Sequence, residues 1–191
     1  MKKGVFVCLI AIALAAAAGL RFSKLGLRPM HHDEANQAVK FGLLLEHGYY
    51  HYDPTDHHGP TLYYLTLPVA WARGQMSLSH LDETTLRFVP ALFGTALILI
   101  LAALAPGLGR GAVCAAALFC ALSPAMTYFS RFYIQESMFT CFALGFVLAL
   151  EAYRFRPSAG WALVVGGCAG AAFASKETTA IAPCLTEVSH E

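Results

Sequence analysis

Phe88-Val89-Pro90-Ala91-Leu92-Phe93-Gly94-Thr95-Ala96-Leu97-Ile98-Leu99-Ile100-Leu101-Ala102-Ala103-Leu104-Ala105 runs without a charge. About 20 such residues cross a bilayer core as a helix, and shorter runs are accommodated by local thinning or by packing against protein. Residues 5–20, 112–128, 138–153 and 161–174 are similarly apolar, and apart from Glu151 charges are confined to the intervals between them. Taken alone, 5–20 reads equally as a first membrane helix or as a secretory signal with an alanine-rich cleavage region, since it follows Met1-Lys2-Lys3. The four later runs favour an anchor. With 57% of the chain apolar, the expected fold is an all-α integral membrane bundle of several spans.

The formal net charge of +1 argues against a nucleic-acid partner, so the placement of charge matters more than its sum. Topology turns on residues 61–71, which are apolar and aromatic but short and contain Pro68. If they cross the membrane, Arg110 and the Arg154/Arg156 turn face away from the cytoplasm. If they lie in the interface, Lys2, Lys3, Arg110, Arg154 and Arg156 all face it, which is the arrangement that the positive-inside rule favours. The expected organisation is then a first membrane helix over 1–20, a long external loop over 21–86 with interfacial helices, and helices two to five over 87–174. The polar turn after residue 185 makes 175–191 read as the start of a further membrane element, cut short. The six cysteines form no CxxC pair and read as small buried hydrophobes.

The external loop carries most of the chemistry. Asp33-Glu34 opens a segment in which Ala35, Ala38, Val39, Gly42, Leu43 and Leu45 fit one helical face, and Gly48 is a stop. Two readings of Asp33 stand side by side: a carboxylate that accepts a proton in catalysis, or a cap for the helix that follows. Seven of the eight histidines lie in this loop. Asp33, Glu136, His57 and His58 are weak metal candidates, because no strong ligand spacing such as HExxH is present and adjacent imidazoles diverge. Tyr49, Tyr50, Tyr52, Tyr63 and Tyr64 suit the membrane interface, and also the face of a sugar.

Asp33-Glu34 after the first helix, the stretch from Tyr52-Asp53-Pro54 to His58-Gly59-Pro60-Thr61-Leu62-Tyr63-Tyr64, Leu86-Arg87-Phe88-Val89-Pro90, and Ser130-Arg131-Phe132-Tyr133-Ile134-Gln135-Glu136 together resemble the amino-terminal half of lipid-linked glycosyltransferases. More narrowly, the order of motifs is similar to the protein O-mannosyltransferase-like superfamily of the GT-C fold (glycosyltransferase family 39), and to its prokaryotic branch of flippase-activity-associated proteins.

That resemblance implies a membrane enzyme using a polyprenyl-phosphate sugar, in contact with membrane lipid, active outside the cytoplasmic membrane. It places the catalytic carboxylate at Asp33, with Glu34 and Glu136 as acidic partners; Glu136 stands where many relatives carry Asp. A divalent cation is compatible with it. The leaving phosphate gains charge as the sugar bond breaks and calls for cations. Arg131, Lys176 and Arg87 are the candidates, with snorkelling to lipid headgroups as the alternative. His58 stands where many relatives carry Lys, and Tyr63 is a further substrate-binding candidate. The sugar, the lipid length and the acceptor stay open. Two other classes remain: a non-catalytic accessory protein that binds a lipid-linked glycan, and a transporter, for which no paired half-repeat is evident.

Overall fold

The computed structural model describes residues 1–51 and 58–176. Tyr52, Asp53, Asp56, His57, Cys184 and the proposed further membrane element beyond Lys176 lie outside them. The described chain is helical: α1 (Lys3–Phe22), α2 (His32–His47), α3 (Thr61–Ala72), a 3-10 turn at Leu78–His80, α4 (Glu83–Ala103), the single turn α5 (Ala105–Leu108), α6 (Arg110–Leu122), α7 (Pro124–Phe129), α8 (Glu136–Phe155) and α9 (Ala159–Ser175). Three of these, α1, α4 and α8, are long and apolar enough to cross a membrane; α6 and α9 are shorter apolar helices.

Helix ends follow local chemistry. Asp82 caps α4 by accepting the Thr85 N–H at 2.7 Å, and Ser158 caps α9 by accepting that of Trp161 at 3.2 Å. The run 112–128, expected to be one helix, is broken at Ser123-Pro124. Proline cannot donate the next helical hydrogen bond, so α6 stops there and Ser123 caps α7 instead, its hydroxyl accepting the Met126 N–H. The carbonyls left at the end of α6 are taken by Arg21. Its guanidinium donates to Cys120 O at 2.9 Å, to Ala121 O at 3.2 Å and to the Ser130 hydroxyl at 3.3 Å. Arg21, expected to begin the loop, is therefore the buried last turn of α1.

Ile10, Ala13 and Ala17 of α1 pack on Leu97 and Ile98 of α4 and on Val113, Ala117 and Ala121 of α6. Small side chains at these crossings let the backbones approach, and close packing, not hydrophobic burial, is what holds helices together in lipid. A second core, formed by Phe41 and Leu44 of α2, Leu62 and Tyr63 of α3, Leu86 and Val89 of α4, and Tyr133, sits under the loop.

Long-range bonds gather the ends of the helices. Arg131 reaches Leu20 O, Arg87 reaches Leu25 O, and Glu136 meets Lys176, so the C-terminal ends of α1, α6 and α9 and the N-terminal ends of α4 and α8 lie together. The 12-residue α3 stays at this end. At the opposite end Arg110 donates to Met1 O at 3.0 Å.

Gly59 fixes the return of the loop onto α9. Its N–H donates to Ser175 O at 3.2 Å and the Thr61 hydroxyl to Ala174 O at 2.8 Å, which satisfies carbonyls at the end of α9. A Cβ on Gly59 would stand 1.8 Å from Ala174 O, a backbone atom that cannot swing away. Gly59→Ala is expected to cost about 1–3 kcal/mol and to speed amide exchange at residue 59. Unchanged exchange and melting in detergent would show that the loop is held elsewhere.

Candidate active site at the loop-bearing end

The amino-terminal end of α2 separates two adjacent carboxylates. Its cap is His31, not Asp33: the His31 ring accepts the Asp33 N–H at 3.3 Å, and Glu34, three residues on, accepts the His31 N–H at 3.1 Å in a reciprocal capping box. At the other end Gly48, with φ of 78°, closes the helix in the left-handed conformation, as expected of that stop. The buried face holds Glu34, Gln37, Ala38, Phe41, Gly42 and Leu44. The apolar pattern had pointed to Val39 and Leu43, which are exposed instead. Burial of Glu34 turns the helix, because what lies beneath it is charged.

That charge is Arg87. Its Nε lies 2.8 Å from Glu34 Oε1 and its Nη2 3.0 Å from Oε2, a two-pronged pair in which both side chains are almost completely buried. Glu34 also accepts from Arg28 at 2.7 Å and from the Tyr133 N–H at 2.9 Å. With the His31 N–H, its lone-pair directions are taken. Arg87 is equally committed, donating to Leu25 O at 2.6 Å, Arg28 O at 3.0 Å and Pro29 O at 3.4 Å. All five of its N–H groups thus have partners within the protein. The geometry makes Arg87 and Glu34 a clamp fastening the chain between α1 and α2 onto α4.

Burial pushes the Glu34 carboxyl upward, but hydrogen bonds from Arg87 and from the His31 and Tyr133 amides outweigh it and hold the carboxyl below its ordinary range. The sign follows. A carboxyl depressed in the folded state contributes stability that is complete above its unfolded value of about 4.3 and is lost as pH falls through the lower folded value. Thermal stability is expected to owe nothing to Glu34 titration from pH 8 to about 5 and to fall in more acid solution. Glu34→Gln should remove that part of the acid dependence; an identical acid limb in the variant would assign it to other carboxyls.

Asp33, one residue earlier, points the other way. Its side chain is 65% exposed, and the His31 ring lies 3.4 Å from it. Beside it lies an aromatic shelf: His31 is tilted against Phe132, and the Arg28 guanidinium lies 3.8 Å from the Phe132 ring centre and 5.5 Å from that of Tyr128. Arg131 holds the end of α1, donating to Leu20 O at 2.9 Å and Lys24 O at 3.2 Å.

Glu136 begins α8 and pairs with Lys176 at 3.0 Å. Its second carboxylate oxygen is buried without a hydrogen-bond partner among the described residues. His58 pairs through its backbone with Lys176, and its carbonyl accepts from the Tyr50 hydroxyl at 3.1 Å. Tyr63 is completely buried, its hydroxyl donating to Gln37. The Gln135 amide donates to the same Gln37 Oε1 at 3.3 Å, and the Tyr133 hydroxyl donates to that of Thr66 at 3.3 Å. Burial pushes the Tyr133 phenol well up, so it serves as a neutral donor.

The structure therefore brings Glu34, Arg87 and the Tyr133 amide together and pairs Glu136 with Lys176. Asp33 lies against the His31 ring, whereas Glu136 pairs with Lys176. Among the described residues no three His, Cys, Asp or Glu side chains converge as metal ligands, and His57 lies outside those residues. Arg28, Gln37 and Gln135 had not been singled out. For Gln37 the signal was present, since it stands three residues after Glu34 on one helical face.

The family described as Dolichyl-phosphate-mannose-protein mannosyltransferase matches the chain over residues 65–185, which include Arg87, Arg131, Glu136 and Lys176 and begin after Asp33 and Glu34. Searches of the curated proteins and of the solved structures return no match.

Proposed function

The chain belongs to the dolichyl-phosphate-mannose-protein mannosyltransferase family, helical membrane glycosyltransferases of GT-C type that use polyprenyl-phosphate sugars, and from that premise we propose that it moves a sugar from such a donor to an acceptor at the loop-bearing end of the bundle. Asp33 takes the proton of the acceptor hydroxyl as its oxygen attacks the anomeric carbon. The bond from that carbon to the phosphate oxygen breaks, its electrons stay on the phosphate, and the polyprenyl phosphate leaves. The opposed fates of two neighbouring carboxylates carry the reading. Glu34 is saturated with donors, whereas Asp33 stands exposed and open to a hydroxyl.

In this reading α1, α4, α6, α8 and α9 all span. The end with Lys2, Lys3, Arg110, Arg154 and Arg156 is cytoplasmic by the distribution of positive charge, and the reaction faces outward across a cytoplasmic membrane. Residues 21–86 form the external loop. Glu136 and Lys176 pair beside the returning loop, Glu136 as an acidic partner of Asp33 and Lys176 as a contact for the donor phosphate.

The test is transfer from a panel of radiolabelled polyprenyl-phosphate sugars in membranes holding the protein, with Asp33→Asn as control. Label transferred by the parent and lost in the variant is the expected result. No transfer from any donor, with lipid-linked sugar still bound, would replace the enzyme with an accessory glycan-lipid binder.

A further inference from the structure

We propose that the cleft at the end of the bundle far from the loop, between the start of α1 and the turn from α4 into α6, seats the headgroup of an anionic phospholipid. The cleft encloses about 700 Å³. Phe6 and Val7 of α1 and Ala103 and Pro106 of the turn give it apolar walls, and Lys3 and Arg110 give it charge. Local chemistry builds it. α4 ends at Ala103, the single turn of α5 follows, and Gly109, with φ of 83°, redirects the chain into α6. That conformation suits a residue without a Cβ, so the glycine fixes where Arg110 enters. Arg110 Nη1 then donates to Met1 O at 3.0 Å, which sets the start of α1 beside the turn.

Three observations select an anion on an apolar chain. Neither Lys3 nor Arg110 has a carboxylate partner among the described residues. The elements around them supply none: residues 1–32 and 84–135, which make up α1, all of α4 past its first residue, α5 and α6, contain no Asp or Glu. At the same end of α8, Glu151 is already paired with Arg154 at 3.0 Å. The third observation is continuity with lipid. Val7 is exposed and lies in the apolar run of α1, so one side of the cleft opens onto surface that acyl chains cover around a spanning helix. A phosphate between Lys3 and Arg110 has its own acyl chains beside Phe6 and Val7. The guanidinium grips phosphate oxygens through parallel hydrogen bonds, and the ammonium adds a point charge. Basic pockets between helices on the cytoplasmic side are suited to anionic headgroups in this way.

This seat is separate from the proposed reaction, which lies about 30 Å away along the 20-residue α1. Its assignment to the cytoplasmic leaflet rests on the orientation proposed above. A nanodisc exposes both faces, so a reversed orientation would move the seat to the other leaflet without removing it, and a protein that transfers no sugar would still capture the lipid.

The experiment uses the protein in phosphatidylcholine nanodiscs holding a small fraction of phosphatidylglycerol with a photoreactive headgroup. Labelling is expected within residues 1–7 and 103–111, and unlabelled phosphatidylglycerol should compete for it. Each charge near the headgroups contributes on the order of a fivefold preference, so Lys3→Gln should lower capture about fivefold and Lys3→Gln with Arg110→Gln about thirtyfold. Arg156→Gln removes an exposed arginine at the same end that does not line the cleft, and it should leave capture within about twofold of the parent. Melting in detergent is measured alongside, because Lys3→Gln breaks no bond to the rest of the chain and should melt like the parent. An equal fall in Arg156→Gln would reduce the seat to diffuse attraction by the positive end and overturn it. Equal labelling by a photoreactive phosphatidylcholine, or unchanged capture by the double variant, overturns it as well.

Discussion

Arg87→Ala is expected to cost about 3–5 kcal/mol, because it strips a buried carboxylate of its principal partner. The loss is large against the 5–15 kcal/mol that typically separates folded from unfolded domains. Glu34 would keep Arg28 and two amide donors, but Arg28 is about one-third exposed and is itself steered by Glu34. The carbonyls of Leu25, Arg28 and Pro29 would lose their donor in the same step. Arg87→Lys should fail nearly as badly, since an ammonium offers three donors from one point and cannot span five acceptors. The informative partner is Glu34→Gln. If the pair is the clamp, adding it to Arg87→Ala should recover part of the loss, because no uncompensated charge remains. Melting in detergent and the yield of monodisperse protein measure all three. Full additivity of the two changes would mean that the pair is not coupled.

What the sequence shows about this arrangement depends on distance along the chain. The apolar runs expose the bundle, because lipid demands them segment by segment. Gly48, the stop of α2, is equally local. Ser123-Pro124 was visible too, but an apolar run conceals a helix break when the eye follows hydropathy alone. Arg87 looked like a phosphate contact because it is an arginine at the mouth of an apolar helix; its partner, 53 residues earlier, is a tertiary fact. The same holds for Arg28 on Phe132 and for Arg21 at the end of α6. The doublet Asp33-Glu34 is the instructive case. Adjacent helical residues diverge by about 100°, so two carboxylates read as one acidic site are assigned to different faces, and only the charge beneath α2 decides which is buried.

Asp33→Asn should therefore leave the fold intact and remove the reaction. The side chain is 65% exposed and makes no bond that carbonyl and amide atoms of the same shape would break. What the fold loses is a negative charge in the first turn of α2, worth about 0.3–1 kcal/mol. In the proposed reaction catalysis loses its proton acceptor, and a general base contributes about 10²–10⁴-fold. The two quantities are read in different assays, which keeps the roles of the doublet apart. Glu34→Gln, by contrast, should lower stability and transfer together, because it acts through the clamp that holds α2 in place. Asp33→Glu tests position: it retains the base but moves it by one methylene, so activity between that of the parent and that of the asparagine variant is expected. An asparagine variant that melts like the parent and still transfers sugar within a few-fold would remove Asp33 from the chemistry. One that loses transfer only in proportion to its folded fraction would return Asp33 to a structural part in the first turn of α2.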